Sequence, residues 1–233
     1  MKTLAIITAR GGSKRIPRKN IKDFLGMPII AYSINAAIKS NLFSEVMVST
    51  DDEEIAEIAT KYGAKVPFVR SDQNSDDFAS TTDVLIEVLE KYQAQNTQFD
   101  LACCLYPTAP FVTPDKLTKA YERIVNKNFD SIFPVVHFSY PIQRALKINQ
   151  NGLMAMFQPE NLTKRSQDLE PAYHDAGQFY FFKVAPFLEK KKLWTDNSSV
   201  LIVPETEVQD IDTPQDWELA EIKFQWLKQK SQS

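Results

Sequence analysis

Residues 3–20 read TLAIITARGGSKRIPRKN. The first seven suit burial on both faces of a sheet. Arg10, Lys14, Arg15, Arg18 and Lys19 then crowd into the next stretch, in a chain whose net charge is only −3. A strand buried on both faces belongs to a parallel sheet covered by helices, and the loop leaving its carboxyl end is where such sheets bind ligands. Gly11 and Gly12 permit positive φ and a close approach of backbone N–H groups to an anion. Arg10 can fork onto phosphate oxygens, while Lys14 and Lys19 can act as mobile point charges. The stretch therefore reads as a loop for a di- or triphosphate, against the alternative of a solvated basic loop. Neither G-x-G-x-x-G nor G-x-x-x-x-G-K-[ST] is present, and Pro17 opposes prompt entry into a helix, so the dinucleotide and P-loop fingerprints both fail.

Outward from this loop, short apolar runs alternate with amphipathic stretches. Strands are predicted at 3–9, 45–50, 100–106 and 131–138, with an edge strand at 65–70 demoted by Pro67. Helices are predicted at 28–40, 52–63, 81–95 and 113–127, the last with Thr113 as N-cap and Pro114 at its first position. This alternation predicts an α/β fold with a doubly wound, mostly parallel sheet. The rhythm changes after residue 140. Residues 145–157 look like a hairpin turning at Asn151-Gly152, strands follow at 177–184 and 199–205, and a helix closes the chain at 213–230. The segment at about 140–175 reads as an arm inserted into one domain spanning 1–233, of the kind that makes dimer contacts.

Composition narrows the setting. With 43% hydrophobic and 24% charged residues over 233 positions, the chain has an ordinary globular balance. Such a length buries roughly 70% of the unfolded surface without staples. The mild negative charge argues against nucleic acid or an anionic membrane as partner. The two cysteines, Cys103 and Cys104, are adjacent and form neither a disulfide framework nor a spaced metal motif. A reducing cytoplasm fits, as does the lack of any run of 18 apolar residues.

Three further segments carry chemistry. In VQDIDTPQDWE (208–218), Asp210 and Asp212 are separated by one residue, so on an extended backbone both carboxylates face one side while Ile211 faces the other. Paired carboxylates with phosphate oxygens suit Mg²⁺, or Mn²⁺ in its place; the bland alternative is an acidic N-cap for the following helix. RSDQNSDDFASTTD (70–83) alone says loop and N-cap, with Asp76 and Asp77 as solvated charges. LYPTAPF (105–111) alone says a rigid strand-to-helix connection.

The first loop resembles the signature A-R-x-x-S-K-x-x-x-x-K-N of the nonulosonate (sialic-acid-type) cytidylyltransferases, falling on Arg10, Ser13, Lys14, Lys19 and Asn20. The resemblance extends over nearly the whole chain, including Asp210-Ile211-Asp212-Thr213. It implies a Rossmann-like nucleotidyltransferase fold, with CTP and a nonulosonic acid as substrates and a homodimeric assembly. It further implies that Arg10 and Lys19 grip the triphosphate, that Asn20 helps hold the nucleotide, and that Arg70, Ala79 and Thr81 frame cytosine and ribose. Asp210 and Asp212 would hold the metal, making Arg10, Lys19 and Asp212 the catalytic set. Tyr173-His174-Asp175-Ala176-Gly177, Arg165 and Gln167-Asp168-Leu169 are similar to the pseudaminic-acid branch, whereas sialic-acid relatives resemble R-P-N-G at 174–177. Those relatives also carry Gln where this chain has Tyr106. On this resemblance Tyr106, Arg165, His174 and Asp175 are sugar-side residues. The expected reaction transfers CMP to an anomeric hydroxyl for bacterial surface-glycan synthesis. A cytidylyltransferase for sialic acid, legionaminic acid or the eight-carbon ketodeoxyoctonate, a glycosyltransferase using D-x-D, and a non-catalytic nucleotide-binding homologue are the competing readings.

Overall fold

Alternate residues of the first strand point to opposite sides of the sheet, and both sides are covered. The structure, a computed structural model, describes residues 1–76 and 79–230. Its first half comprises β1 (Thr3–Thr8), the short pair β2 (Asp23–Phe24) and β3 (Met27–Pro28), α1 (Ile29–Ser40), β4 (Glu45–Ser49), α2 (Glu53–Lys61), α3 (Thr81–Ala94), β5 (Leu101–Leu105), α4 (Pro114–Lys127) and β6 (Ser131–His137). The second half comprises β7 (Leu146–Ile148), β8 (Met154–Met156), β9 (Tyr173–Asp175), β10 (Phe179–Lys183), α5 (Val184–Lys190), β11 (Ser198–Ile202) and α6 (Pro214–Lys230).

Ala5 and Ile7 pack with Ile30 and Ile34 of α1, Ile55 of α2 and Leu117 of α4. Leu4 and Ile6 pack on the other side with Leu85, Val88 and Tyr92 of α3 and Phe187 of α5. Each fully buried Leu, Ile or Phe contributes roughly 2 kcal/mol, so this two-sided burial is what makes β1 a central strand. Cys103 and Cys104 lie fully buried in β5, where desolvation pushes both thiols up; they act as small core residues.

The main sheet has seven strands in the order β11-β6-β10-β5-β1-β4, with β9 also paired to β6. β1 is parallel to β4 and β5, and β11 is parallel to β6, whereas β10 runs antiparallel between β5 and β6. The fold is thus a doubly wound, mostly parallel α/β sheet with reversed strands beside β6. The reversal has a topological cause. The chain leaves β6 at its carboxyl end, builds the β7–β8 hairpin there, and must come back through β9 and β10 in the opposite direction. Gly177, at φ +60°, lies in the short link between β9 and β10, which run in the same direction along β6.

Most predicted elements are present, with small differences at their ends. The hairpin forms as expected, with Gly152 at φ +78° in its turn. Residues 65–70 form no strand; a single bridge, Lys65 to Met47, remains. Pro67 withholds one ladder donor and the run packs along the edge beside β4. The short α5 was missed because its seven residues carry no periodic stripe.

Candidate active site

In chain order the sheet grows from β1 to β4 on one side and then crosses to β5 on the other, so β1 is the switch point of the topology. The loop at 10–20 leaves its carboxyl end, the place such sheets reserve for ligands. A cavity of about 430 Å³ opens there, lined by Arg10, Ser13, Lys14, Arg15, Lys19, Asn20 and Tyr106 among others. A second of about 230 Å³ shares Arg10 with it and adds Arg70, Asn74, Asp76, Ala79 and Thr81. A third of about 570 Å³ shares Tyr106 with the first and is lined by His174, Asp175, Tyr180 and Asp210.

An apolar contact brings the loop to the aspartates. Ile16 from the loop and Ile211 from between the aspartates are both buried in one cluster with Phe24, Phe111 and Trp217. With Ile211 turned inward, Asp210 and Asp212 face outward together, as the two-residue repeat requires. Lys19 crosses to this segment, donating to the carbonyl of Ile211 at 2.6 Å and lying 3.5 Å from Asp212 Oδ1. Arg15 also pairs with Asp212 Oδ1, at 2.8 Å. The aspartates are not helix caps. Thr213 caps α6, with its N–H and hydroxyl donating to Asp216 Oδ2 at 2.7 and 2.8 Å and the Asp216 N–H returning to the Thr213 hydroxyl at 3.3 Å.

Burial and the neighbouring Asp212 push the Asp210 carboxyl above the usual carboxylate range. Two carboxylates facing one side of a short extended segment, beside a cationic loop, offer the oxygen donors a divalent cation takes. Among the described residues no group of three or more His, Cys, Asp or Glu side chains could hold a metal, so phosphate oxygens and water would have to complete its shell.

The loop differs from expectation in two respects. Arg18 does not face the phosphate cavity: it forms a two-pronged pair with Asp52 at 2.5 and 2.9 Å and reaches Glu54, both at the start of α2. The Arg18 guanidinium in turn holds the Asp52 carboxyl below its usual range. The glycines also serve another purpose. Neither adopts positive φ; the Gly11 N–H donates to Asp51 Oδ1 at 3.0 Å, and a Cβ there would sit 2.6 Å from Asp52 Oδ2. Gly11 allows the loop to lie against α2, and Gly12 faces open space. Asn20 is nearly buried and donates to the Arg10 carbonyl at 2.8 Å, bracing the loop.

Arg70 is buried and donates to the Ser49 hydroxyl at 3.0 Å and to the Ser49 carbonyl; desolvation pulls its guanidinium down. Arg10 donates to the backbone carbonyl of Asp76 at 2.9 Å, so Asp76 belongs to the cavity wall and is not merely a solvated charge, while Asp77 lies outside the described residues. His174 bonds through Nδ1 to the Asp175 carbonyl at 2.9 Å and packs on Phe138. Arg165 is not brought to the other site residues. It sits exposed on the arm, paired with Asp168 at 2.7 and 3.0 Å. Arg15 and Tyr180 line the cavities without having been singled out in the sequence; Arg15 sits amid a cationic run that made it one charge of five, and Tyr180 lies in an aromatic strand that reads as core.

The cytidylyltransferase family model matches residues 4–213, and the chain belongs to that family. It is 51% identical to the pseudaminic acid cytidylyltransferase of Campylobacter jejuni serotype O:2, over 96% of this chain and 97% of that one. It is 35% identical to the CMP-N,N'-diacetyllegionaminic acid synthase of Legionella pneumophila, over 99% of both chains. Among solved structures it resembles a CMP:2-keto-3-deoxy-manno-octonic acid synthetase complexed with CTP, with a TM-score of 0.70 at 18% identity, covering 98% of this chain and 100% of that one. That likeness supports the fold alone.

Proposed function

We propose that this chain transfers CMP from CTP to the anomeric hydroxyl of a nonulosonic acid, pseudaminic acid, releasing pyrophosphate. The observation that carries the reading is the 51% identity with the Campylobacter enzyme over 96% of this chain. The triphosphate lies along the 10–20 loop, with Arg10, Lys14 and Lys19 on its oxygens. Cytosine and ribose enter the space between Arg70, Ala79 and Thr81. The sugar acid occupies the cavity of His174 and Asp175, and its hydroxyl meets the α-phosphate beside Tyr106.

The residues accelerate transfer by holding the two reactants in line and by placing positive charge where negative charge builds on the phosphates. No covalent enzyme intermediate is needed. Asp210 and Asp212 would hold Mg²⁺, which when bound neutralises phosphate oxygens and makes pyrophosphate a better leaving group. Arg15 and Lys19 hold Asp212 in the meantime and keep its carboxylate aimed toward the loop.

The reading includes a homodimer joined through the arm. Ile148, Leu153, Met154 and Phe157 are 61–77% exposed on or beside the β7–β8 hairpin. Apolar groups clustered on a projecting hairpin suit a second copy. Among the described residues no helix is long and apolar enough to cross a membrane, and use of CTP puts the work in the cytoplasm.

The test is pyrophosphate release from CTP with pseudaminic, legionaminic and sialic acids side by side, with the CMP-sugar identified by mass. Release driven best by pseudaminic acid supports the reading. Equal or greater turnover with sialic acid would reassign the substrate.

A further inference from the structure

Tyr106 is the residue shared by the phosphate-loop cavity and the sugar-side cavity. Its backbone is fixed on both sides: its N–H donates to the Gln178 carbonyl at 2.9 Å and its carbonyl accepts from the Ser33 hydroxyl at 2.8 Å. Its ring packs against that of Tyr180 with centroids 5.6 Å apart, and its hydroxyl interacts with those of Tyr180 and Thr81. Tyr180 is 4% exposed, and its hydroxyl donates to Asp175 Oδ2. The other oxygen, Asp175 Oδ1, accepts from the Gly177 N–H at 2.9 Å. Asp175 and Tyr180 lie on consecutive strands that both run antiparallel to β6. The short Gly177 link between them lets the Asp175 carboxylate reach the Tyr180 hydroxyl, and the Tyr180 ring in turn packs on that of Tyr106.

An ionised carboxylate only accepts hydrogen bonds, and this fixes the direction of the row. Tyr180 must donate to Asp175, which leaves the Tyr180 oxygen to accept from Tyr106. The Thr81 hydroxyl can take one lone pair of the Tyr106 oxygen, and the other is presented to whatever lies at the cavity junction. Burial raises both phenols, so neither ionises in the neutral range and the order of donors is stable.

The geometry points to Asp175 and Tyr180 as positioning residues that aim the Tyr106 oxygen as a hydrogen-bond acceptor at a donor of the sugar acid, a hydroxyl or acylamino N–H, next to the point of transfer. This rests on the proposed cytidylyltransferase reading and refines it: Asp175 acts through Tyr180, and Tyr106 is the group that touches substrate. Both Asp175 oxygens are already engaged within the protein, which is why direct contact with the sugar is the weaker role for it.

The experiment compares steady-state pyrophosphate release by wild type, Tyr180→Phe, Asp175→Asn and the double variant, varying CTP and pseudaminic acid separately. Losing a hydrogen bond to a charged group corresponds to about tenfold to a hundredfold. The expected result is that loss in kcat/KM for the sugar acid in either single variant, a KM for CTP within about twofold of wild type, and a double variant no worse than the poorer single one. Losses that multiply in the double variant would mean independent contacts and overturn the proposal. So would an Asp175→Asn defect with Tyr180→Phe at wild-type turnover, since that would place Asp175 on the sugar itself. Tyr180→Phe removes one oxygen from a buried ring and keeps its packing, so it carries the test even if Asp175→Asn folds poorly. A wild-type protein that turns over none of the sugar acids would instead sink the functional reading beneath it.

Discussion

Glu87, on the helix facing the 71–76 segment, offers a sharp test of how the nucleotide cavity is held. It accepts from the Ser71 N–H at 2.9 Å, from the Ser71 hydroxyl at 2.8 Å and from the Asn74 amide, and it pairs with Lys91 at 2.5 Å. Burial alone would raise this carboxyl; the Lys91, Asn74 and Ser71 bonds outweigh that effect and bring it down from 4.5 to about 2. At about 1.4 kcal/mol per tenfold change in proton affinity, the network is worth roughly 3 kcal/mol at neutral pH. The folded value lies below the unfolded one, so this stability is fully present above about pH 5 and is lost as pH falls toward 2. Glu87→Gln should therefore lower stability by roughly 3 kcal/mol at pH 7, and the gap to wild type should shrink to roughly 1.4 kcal/mol at pH 3. Urea melts of both proteins at the two pH values measure it. Because Asn74 lines the cavity with Arg70 and Thr81, KM for CTP should rise as well. A gap below about 0.5 kcal/mol, the size of an ordinary surface substitution, or one independent of pH, would refute the reasoning.

Other expectations follow from the same geometry. Asp212→Asn should cut pyrophosphate release at least a hundredfold while CTP still raises the melting temperature, a combination of turnover and thermal-shift assays; near-normal turnover would remove the metal role. Arg10→Ala should lose roughly a hundredfold to a thousandfold in kcat/KM for CTP, because its phosphate contacts tighten as charge develops. Gly11→Ala forces a methyl against Asp52 and should cost about 1–3 kcal/mol in chemical denaturation, whereas Gly12→Ala, facing open space, should cost little.

The sequence disclosed those parts of the fold that depend on period and caps. Thr113 and Pro114 start α4 as expected, and the stripe Val84, Leu85, Val88, Leu89 and Tyr92 is the buried face of α3. It also placed the aspartates correctly on one side of Ile211, because alternation along an extended chain is local. What stayed hidden is set at long range. The antiparallel course of β10 comes from where the arm returns, not from its own residues. Arg18 looked like one more phosphate cation until its partners, 34 and 36 positions away, came into view. Tyr180 reads as one aromatic among several in GQFYFF; only the pairing of β9 with β6 brings Asp175 to its hydroxyl.

The account stands on cations of the first loop and the paired aspartates meeting on one nucleotide tail. Calorimetric titration of CTP, with Mg²⁺ and with a chelator, addresses this in wild type, Arg10→Ala and Asp212→Asn. Convergence predicts that Asp212→Asn abolishes the gain in affinity conferred by Mg²⁺, and that Arg10→Ala weakens binding under both conditions. Wild-type affinity and an unchanged Mg²⁺ response in both variants would contradict it.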